Sequence, residues 1–300
     1  IEPVNEKDDI KRQTKIVPGH ADFPGTLKYN HKDVRNVLER ASARETAARV
    51  AVGSICKKFL SEIGIDIKSR VISIGWEKTS VANVDQINWE HVENSIVRST
   101  NTREEQLFTN VIDQAKKERT TIGGVFQVIG FGIPLGLGDY IQWDNKLDGK
   151  IAQSMMSINA VKGVEIGNGF NNTEKYGNLV QDVIEPNSQD ERKFSHKTNH
   201  AGGLEGGMSN GNNIIVNVAV KPIATMTKPL PSVDIISGDI VEAAYNRSDI
   251  CQVARACPIG EAMLAITLSE VVLEKFGGDS IQEIKRNYKA YISSFKEYGK

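Results

Sequence analysis

The stretch KDVRNVLERASARETAARVAVGSICKKFLSEI, residues 32–63, shows the apolar spacing of a helix. Apolar residues recur every three or four positions along it, and Gly64 follows as a stop signal. We therefore predict one helix over Lys32–Ile63. Residues 41–52 are rich in alanine, and such small side chains allow another backbone or a flat ligand to approach closely.

Strands and further helices are predicted on the C-terminal side of this stretch. Residues suited to strands occur at Ile67–Trp76, Ile122–Phe131 and Ile214–Lys221. Helical patterns occur at Glu104–Arg119, Leu147–Ile158, Pro258–Phe276 and Ile281–Phe295. Residues 170–199 are polar without a period, which predicts a long surface loop. Because helices and strands do not alternate strictly, the pattern favours an α+β fold with antiparallel sheet.

Composition excludes several classes of protein. The 300 residues carry a formal net charge of −1, which lacks the basic excess of a nucleic-acid-binding protein. Only three cysteines occur, which argues against a disulfide framework and for a reducing compartment. We predict no membrane-spanning run and no signal peptide, and hence a cytoplasmic protein.

The first residues have a separate character. Residues 2–13 are polar and charged without an apolar period, and we predict a flexible polar segment over residues 1–16. The sequence begins with isoleucine rather than methionine, so we expect it to start partway through a longer protein.

Two polar motifs near this end are candidate anion or proton sites. His20 lies in the loop PGHAD, residues 18–22, where a histidine can donate a proton near neutral pH. The alternative is a solvated histidine in a surface loop. Arg40 and Arg44 are four residues apart, which places them on one face of the predicted helix and suits phosphate or carboxylate. The alternative is a solvated face on which Glu45 pairs with Arg49.

The second half contains further candidates. The glycine cluster GGLEGGMSNG, residues 202–211, offers backbone N–H groups to an anion or forms only a flexible turn. It is neither a Walker loop nor a dinucleotide fingerprint. Lys221, at a strand end, suits a phosphate or is merely solvated. Arg247 and Asp249 form either an acid–base element or a weak local ion pair. We predict no metal site, and we expect His196 and His200 to be exposed to solvent.

Several of these motifs match one family in amino-acid sequence and in their order along the chain. They are PGHAD (18–22), LKYNHKDVRNVLERASARETAARVAVG (27–53), WDNKLDGKIAQSMMSINAVKGVEIGNGF (143–170), GGLEGGMSNG (202–211), KPIAT (221–225), KPLPSVDI (228–235) and RSDICQVARACPIGEAM (247–263). From Pro18 nearly to its end, the chain resembles the chorismate synthase family.

The resemblance implies a fold and a reaction. The expected fold is a single α+β domain with helices sandwiched between antiparallel sheets, usually assembled as a homotetramer. The expected reaction is the anti 1,4-elimination of phosphate from 5-enolpyruvylshikimate 3-phosphate, which gives chorismate. The resemblance also implies that reduced FMN would be required without net redox change, because the flavin would lend an electron transiently and take up the departing hydrogen through N5. NADPH is a possible reductant.

The resemblance also implies roles for individual residues. His20 would stabilise or protonate the reduced flavin, and Asp249 would accept the proton near N5. Arg44 would pair with substrate anions, and Arg247 would lie near both ligands. The implied flavin contacts are Arg40, Ala41, Ser42, Asn159, Ala160, Gly206, Lys221, Pro222, Ile223, Ala224, Thr225 and Arg247.

The chain departs from the family pattern at a few points. Ala41 replaces a serine, and Cys257 replaces a small apolar residue and is expected in the core. The family's opening GESHG and YGRG motifs do not occur in the 300 residues, so we expect an N-terminally incomplete member. Two alternatives therefore stay open: a non-catalytic flavin-binding relative, and an NAD(P)H:flavin oxidoreductase without a Rossmann fingerprint.

Overall fold

The computed structural model describes residues 12–190, 192–245 and 248–297. The helices are α1 (Asp22–Tyr29), α2 (Arg35–Arg40), α3 (Thr46–Ser61), α4 (Trp89–Asn94), α5 (Thr102–Lys117), α6 (Leu147–Met156), α7 (Gly169–Asn172), α8 (Val253–Phe276) and α9 (Ile281–Ser294). The strands are β1 (Asp66–Ile74), β2 (Glu77–Lys78), β3 (Gly124–Phe131), β4 (Val161–Ile166), β5 (Ile184–Pro186), β6 (Phe194–His196), β7 (Leu204–Glu205), β8 (Met208–Ser209), β9 (Ile214–Val220), β10 (Pro231–Val233) and β11 (Ile240–Glu242).

A five-stranded antiparallel sheet forms the centre of the fold. Its strands lie in the order β2-β1-β3-β9-β4. In β9 the alternate residues are buried because they face the helices, as the period of two predicts: Ile214, Val216, Val218 and Val220. Smaller antiparallel pairs are β5–β6, β7–β8 and β10–β11. The predicted α+β class with antiparallel sheets is confirmed.

Helix α8 packs on this sheet, and small residues allow the close contact. It lies against β1 and β3, and α3 and α6 pack against it. A Cβ added to Gly260 would lie 2.5 Å from Phe126 Cε2, and one added to Gly53 would lie 2.3 Å from Ala262 Cβ. The close approach of α3 to α8 therefore rests on Gly53, which follows the alanine-rich stretch 41–52, whereas the alanines of α3 itself are exposed.

The predicted single helix over Lys32–Ile63 is wrong, because the chain breaks between α2 and α3. Ser42 is extended, with φ −64° and ψ 141°, and its Oγ accepts from the backbone N–H of Arg44 at 3.4 Å. A 3₁₀ turn, Ala43–Glu45, follows and leads into α3. A serine hydroxyl that caps the next turn competes with helix continuation, which the apolar period did not reveal.

The segment 170–199 contains more structure than a plain surface loop. It includes the end of α7, a 3₁₀ turn at Gly177–Leu179 and the pair β5–β6. Asp182 holds its end in place by accepting hydrogen bonds from His200 N at 2.7 Å and Ala201 N at 2.9 Å. Burial acts to raise the pKa of Asp182, but hydrogen bonds from Thr198, Ala201 and His200 lower it overall.

The two histidines at the end of this segment are not solvent-exposed, so that prediction is wrong. His196 has a side chain only 9% exposed, and its Nε2 lies 3.3 Å from Glu205 Oε2. His200 Nδ1 lies 3.0 Å from Asn168 Nδ2. The contacts with Glu205 and Asn168 leave both histidines partly buried, which local polarity did not indicate.

Part of the predicted flexible segment 1–16 is fixed. Residues 1–11 lie outside the described residues, but Ile16 is buried and its N–H donates to Val233 O at 3.3 Å. Thr14 O accepts from Ile235 N at 2.9 Å. Local sequence patterns do not predict backbone hydrogen bonds to residues more than 200 positions later. The prediction of a flexible segment is therefore wrong for residues 14–16, which are ordered.

The prediction that no apolar run reaches the length of a membrane span was wrong for α8. By length and composition Val253–Phe276 is apolar enough to cross a membrane. However, 67% of its most apolar window is buried, against the sheet, α3 and α6. This is the environment of a core helix. Cys257 is fully buried within it, and burial raises the pKa of its thiol to about 12, as expected of a core cysteine.

Candidate active site

A cavity of about 1410 Å³ opens where four parts of the fold meet. These parts are the loop before α1, the α2–α3 junction, the end of α6, and the start of α8. The segment that leaves β9, Lys221–Thr225, forms a further wall. The predicted site residues that line it are His20, Ala41, Ser42, Arg44, Asn159, Ala160, Lys221, Pro222, Ile223, Ala224, Thr225 and Asp249.

His20 is held at the rim by a buried carboxylate. Its Nδ1 is hydrogen-bonded to Oδ1 of Asp22, whose side chain is fully buried. The second oxygen of Asp22 accepts from Val17 N at 3.1 Å. Gly19 takes a left-handed φ of +81°, and its carbonyl accepts a hydrogen bond from Lys221 Nζ. The imidazole remains one quarter exposed, so it is oriented and still accessible.

The segment after β9 is fixed through its backbone. Lys221 N donates to Ala160 O at 3.0 Å. Thr121 Oγ1 donates to Ile223 O at 2.7 Å, and Ser248 Oγ donates to Thr225 O at 3.0 Å. Because carbonyls are tied to neighbouring elements, the segment presents a rigid wall to a ligand.

Asn159 provides an unpartnered polar atom at this wall. Its Nδ2 donates to Ala41 O at 3.1 Å, which joins the end of α6 to the α2–α3 junction. Its Oδ1 is buried and has no hydrogen-bond partner within the described residues. An orphaned buried acceptor beside a cavity can take a hydrogen bond from water or from a bound ligand.

The arginines do not share one helix face, because the α2–α3 break lies between them. Arg44 lines the cavity, is 82% exposed, and donates to Glu39 Oε2 at 2.7 Å. Arg40 is not among the lining residues. Arg49 pairs with Glu45, Nε to Oε2 at 3.0 Å, as the alternative interpretation held. An exposed pair such as Arg44–Glu39 is weak enough for an anion to compete with it.

Asp249 has a partner that sequence reasoning missed. Arg255, in the first turn of α8, donates from Nη1 to Asp249 Oδ2 at 2.6 Å. Arg247, the predicted partner, lies outside the described residues. Other lining residues that were missed include Gln252 and Ser248. A signal for Arg255 did exist, since it is the next arginine after Asp249 in the same matched motif.

Gly206 is not brought to the cavity. It lies in the β7–β8 turn, with φ +59°. The adjacent Gly207 O accepts from Leu147 N at 2.8 Å, at the first residue of α6. Asn159 and Ala160 lie just beyond the other end of α6, and a helix of 10 residues is about 15 Å long.

The cavity suits a flat polar ring with anionic groups. Three alanines, Ala41, Ala43 and Ala47, give an apolar wall with short side chains. Lys221, Arg44 and Arg255 supply positive charge, and arginine forks suit phosphate and carboxylate. His20, Asp249 and Glu39 are lining groups of the kinds that donate or accept protons, and Glu39 is engaged by Arg44.

Comparison with known proteins points to one family. The family model described as chorismate synthase matches residues 4–273. The chorismate synthase of Desulforudis audaxviator is 48% identical over 285 residues, covering 94% of this chain and 72% of that protein. That of Aquifex aeolicus is 47% identical over 294 residues, covering 95% and 73%. A crystal structure of chorismate synthase superposes with a TM-score of 0.80 and 42% identity, covering 93% of this chain and 77% of that one.

Proposed function

Because the chain belongs to the chorismate synthase family, we propose that it catalyses the anti 1,4-elimination of phosphate from 5-enolpyruvylshikimate 3-phosphate to give chorismate. The proposal makes it a lyase of aromatic amino-acid biosynthesis that uses reduced FMN without net redox change. The observation that supports it most directly is the joint placement of His20, Asp249 and Lys221 on one cavity.

The residues present fit an FMN group. Asn159 offers a buried acceptor without a partner in the described residues, and a flavin ring carries N–H donors. Ala41 and Ser42 offer short side chains beside it, and Lys221–Thr225 offers a cation and a fixed backbone for the phosphate and ribityl chain. When bound, reduced FMN would supply the transient electron that assists cleavage of the C–O bond and would recover it afterwards.

The chain's own groups would handle anions and protons. Arg44 would exchange its exposed contact with Glu39 for a substrate anion, because the pair is weak in water. Arg255 engages Oδ2 of Asp249, which keeps the carboxylate beside the cavity and leaves Oδ1 to accept the proton lost in the elimination. His20 would gain and lose a proton at Nε2, since its Nδ1 is bonded to Asp22.

Family membership also supports finer proposals. We propose one domain over residues 1–300, a homotetramer, a cytoplasmic location, and NADPH as a possible source of electrons for the flavin. Arg40, Gly206 and Arg247 stay in the proposed ligand set on the strength of the matched motifs, although Arg40 and Gly206 are not among the residues that line the cavity and Arg247 lies outside the described residues.

The experiment is anaerobic release of phosphate from the enolpyruvylshikimate phosphate, with and without dithionite-reduced FMN. Release that requires reduced FMN supports the proposal. His20→Ala should slow it while FMN still binds, and His31→Ala, a histidine outside the cavity lining, should not. FMN binding without phosphate release by the unmodified chain would favour a non-catalytic relative instead. Bleaching of bound FMN by NADPH without phosphate release would favour the oxidoreductase.

A further inference from the structure

Asp22 is a carboxylate that the proposed reaction does not itself use. It is fully buried and opens α1; its Oδ2 accepts from Val17 N at 3.1 Å, and its Oδ1 is hydrogen-bonded to His20 Nδ1. Burying a carboxylate is costly unless it is hydrogen-bonded, and here both oxygens are engaged. A helix N-terminus also favours negative charge at this position.

The charge of Asp22 determines which group donates in its hydrogen bond with His20. An ionised carboxylate only accepts hydrogen bonds, so the His20 nitrogen that faces it must carry the proton. In the neutral imidazole this leaves Nε2 as the acceptor on the side away from Asp22. We propose that Asp22 is a positioning residue that fixes His20 as the Nδ1–H tautomer, so that Nε2 is the nitrogen that gains and loses the working proton. The catalytic part of this inference rests on the proposed function; the tautomer does not.

Backbone hydrogen bonds near His20 and Asp22 restrict the positions that the two side chains can take. Lys221 Nζ holds the carbonyl of Gly19, and His20 N donates to Val17 O at 3.1 Å. The peptide unit that precedes His20 is therefore held at both its carbonyl and its N–H. The Val17 N–H likewise fixes which oxygen of Asp22 is left for His20.

This arrangement makes Asp22→Asn a specific test. The amide has one acceptor oxygen and one NH₂ donor. Val17 N still requires an acceptor, so the amide oxygen should remain there and the NH₂ should face His20 Nδ1. That nitrogen must then accept, and the proton moves to Nε2. The same replacement in serine protease triads illustrates how an asparagine imposes the wrong tautomer on a histidine.

The first readout is ¹⁵N NMR of the full chain labelled at histidine, which reports the tautomer whether or not the chain is active. His20→Gln assigns the His20 signals. We expect Nδ1–H in the unmodified chain and in Asp33→Asn, a matched variant that removes a carboxylate engaged by Arg35 rather than by a histidine. We expect Nε2–H in Asp22→Asn. His200, whose Nδ1 faces an asparagine NH₂ at 3.0 Å, provides an internal reference for that state.

The second readout is steady-state phosphate release. Asp22→Asn should lower kcat about 100-fold or more, with KM and FMN affinity changed less than about threefold, whereas Asp33→Asn should leave all three unchanged. Nε2–H in the unmodified chain overturns the inference even if Asp22→Asn fails to fold. A reversed tautomer with normal kcat overturns the positioning role. If the unmodified chain releases no phosphate, the proposed function has failed, and the NMR result alone decides the tautomer.

Discussion

Arg255 Nη1 lies 2.6 Å from Asp249 Oδ2, so the first turn of α8 holds the candidate base at the edge of the cavity. The two side chains are 75% and 45% exposed, and a pair this accessible contributes little to stability. Its value is therefore positional: it engages one carboxylate oxygen of Asp249 and leaves the second available.

Asp249→Asn tests that role. An amide of the same shape keeps a contact with Arg255 but cannot accept a proton, so we expect phosphate release to fall about 100-fold or more. FMN affinity, measured by fluorescence quenching, should stay within about threefold. Asp113→Asn, an exposed position on α5, is the control and should have the unmodified rate. An unchanged rate in Asp249→Asn would remove it from the reaction.

The Arg44–Glu39 pair predicts a variant with improved substrate binding. Glu39→Gln removes the carboxylate that competes for the guanidinium at 2.7 Å, so KM for the enolpyruvylshikimate phosphate should fall about two- to fivefold at low salt. The gain should disappear at high salt, where exposed charges are screened. Glu45→Gln is the matched control, because it removes an acid from the same junction whose partner is Arg49. Equal KM values in both variants would mean that Arg44 does not contact the substrate.

The close contact between Gly53 and Ala262 predicts that a side chain added at position 53 disrupts the packing of α3 on α8. A methyl group at position 53 would lie 2.3 Å from Ala262 Cβ and 2.5 Å from its Cα, so α3 and α8 would have to separate. We expect Gly53→Ala to destabilise the protein by about 1–3 kcal/mol despite the higher helix propensity of alanine.

Gly149→Ala is its control in the chain. Gly149 lies in α6, and its added Cβ would meet only Trp143 O, at 3.8 Å. That variant should be stabilised by about 0.5–1 kcal/mol. Urea unfolding of both variants measures the difference, and destabilisation of the two by the same amount would refute the close α3–α8 contact as the cause.

The sequence predicted those parts of the fold that depend on local periodicity. The alternation of Ile214, Val216, Val218 and Val220 identified β9 to within one residue, and α6 and α9 were also located closely. The break at Ser42 was missed because a hydroxyl cap outweighed a continuous apolar period. The pairing of Thr14 with Ile235 was missed because no local pattern encodes a contact over such a distance.

In the candidate site, too, local motifs were predictive and contacts between distant residues were not. Motif wording located His20, Asn159, Lys221 and Asp249, and the structure places all of them on one cavity. The partners of these residues could not be derived: Asp22 was noticed only as part of a motif, and Arg255 was not noticed. Which hydrogen bonds orient a side chain depends on rotamers and on tertiary approach, such as the one that brings Lys221 to Gly19.

Glu104 predicts how stability depends on pH. Its carboxylate is 2% exposed and sits at the start of α5. Burial acts to raise its pKa, but hydrogen bonds outweigh burial and lower the pKa from 4.5 to about 2; they come from Thr100, Ser80 and Thr79. The Thr79 and Ser80 contacts, at 2.9 Å and 2.8 Å, join α5 to the chain after β2.

The pH dependence of stability follows from the direction in which the pKa of Glu104 is shifted. Because the folded-state pKa is the lower one, the contribution of Glu104 is fully present above pH of about 4.5 and is lost as the pH falls towards about 2. The difference corresponds to about 3 kcal/mol at neutral pH. Glu104→Gln should therefore be less stable than the unmodified chain at pH 7 by about that amount, and the two should converge between pH of about 4.5 and about 2. Urea unfolding at a series of pH values measures the gap, and Glu118→Gln, an exposed position at the end of α5, should show none. A gap that stayed constant as the solution was acidified would mean that Glu104 acts through shape alone and not through its charge.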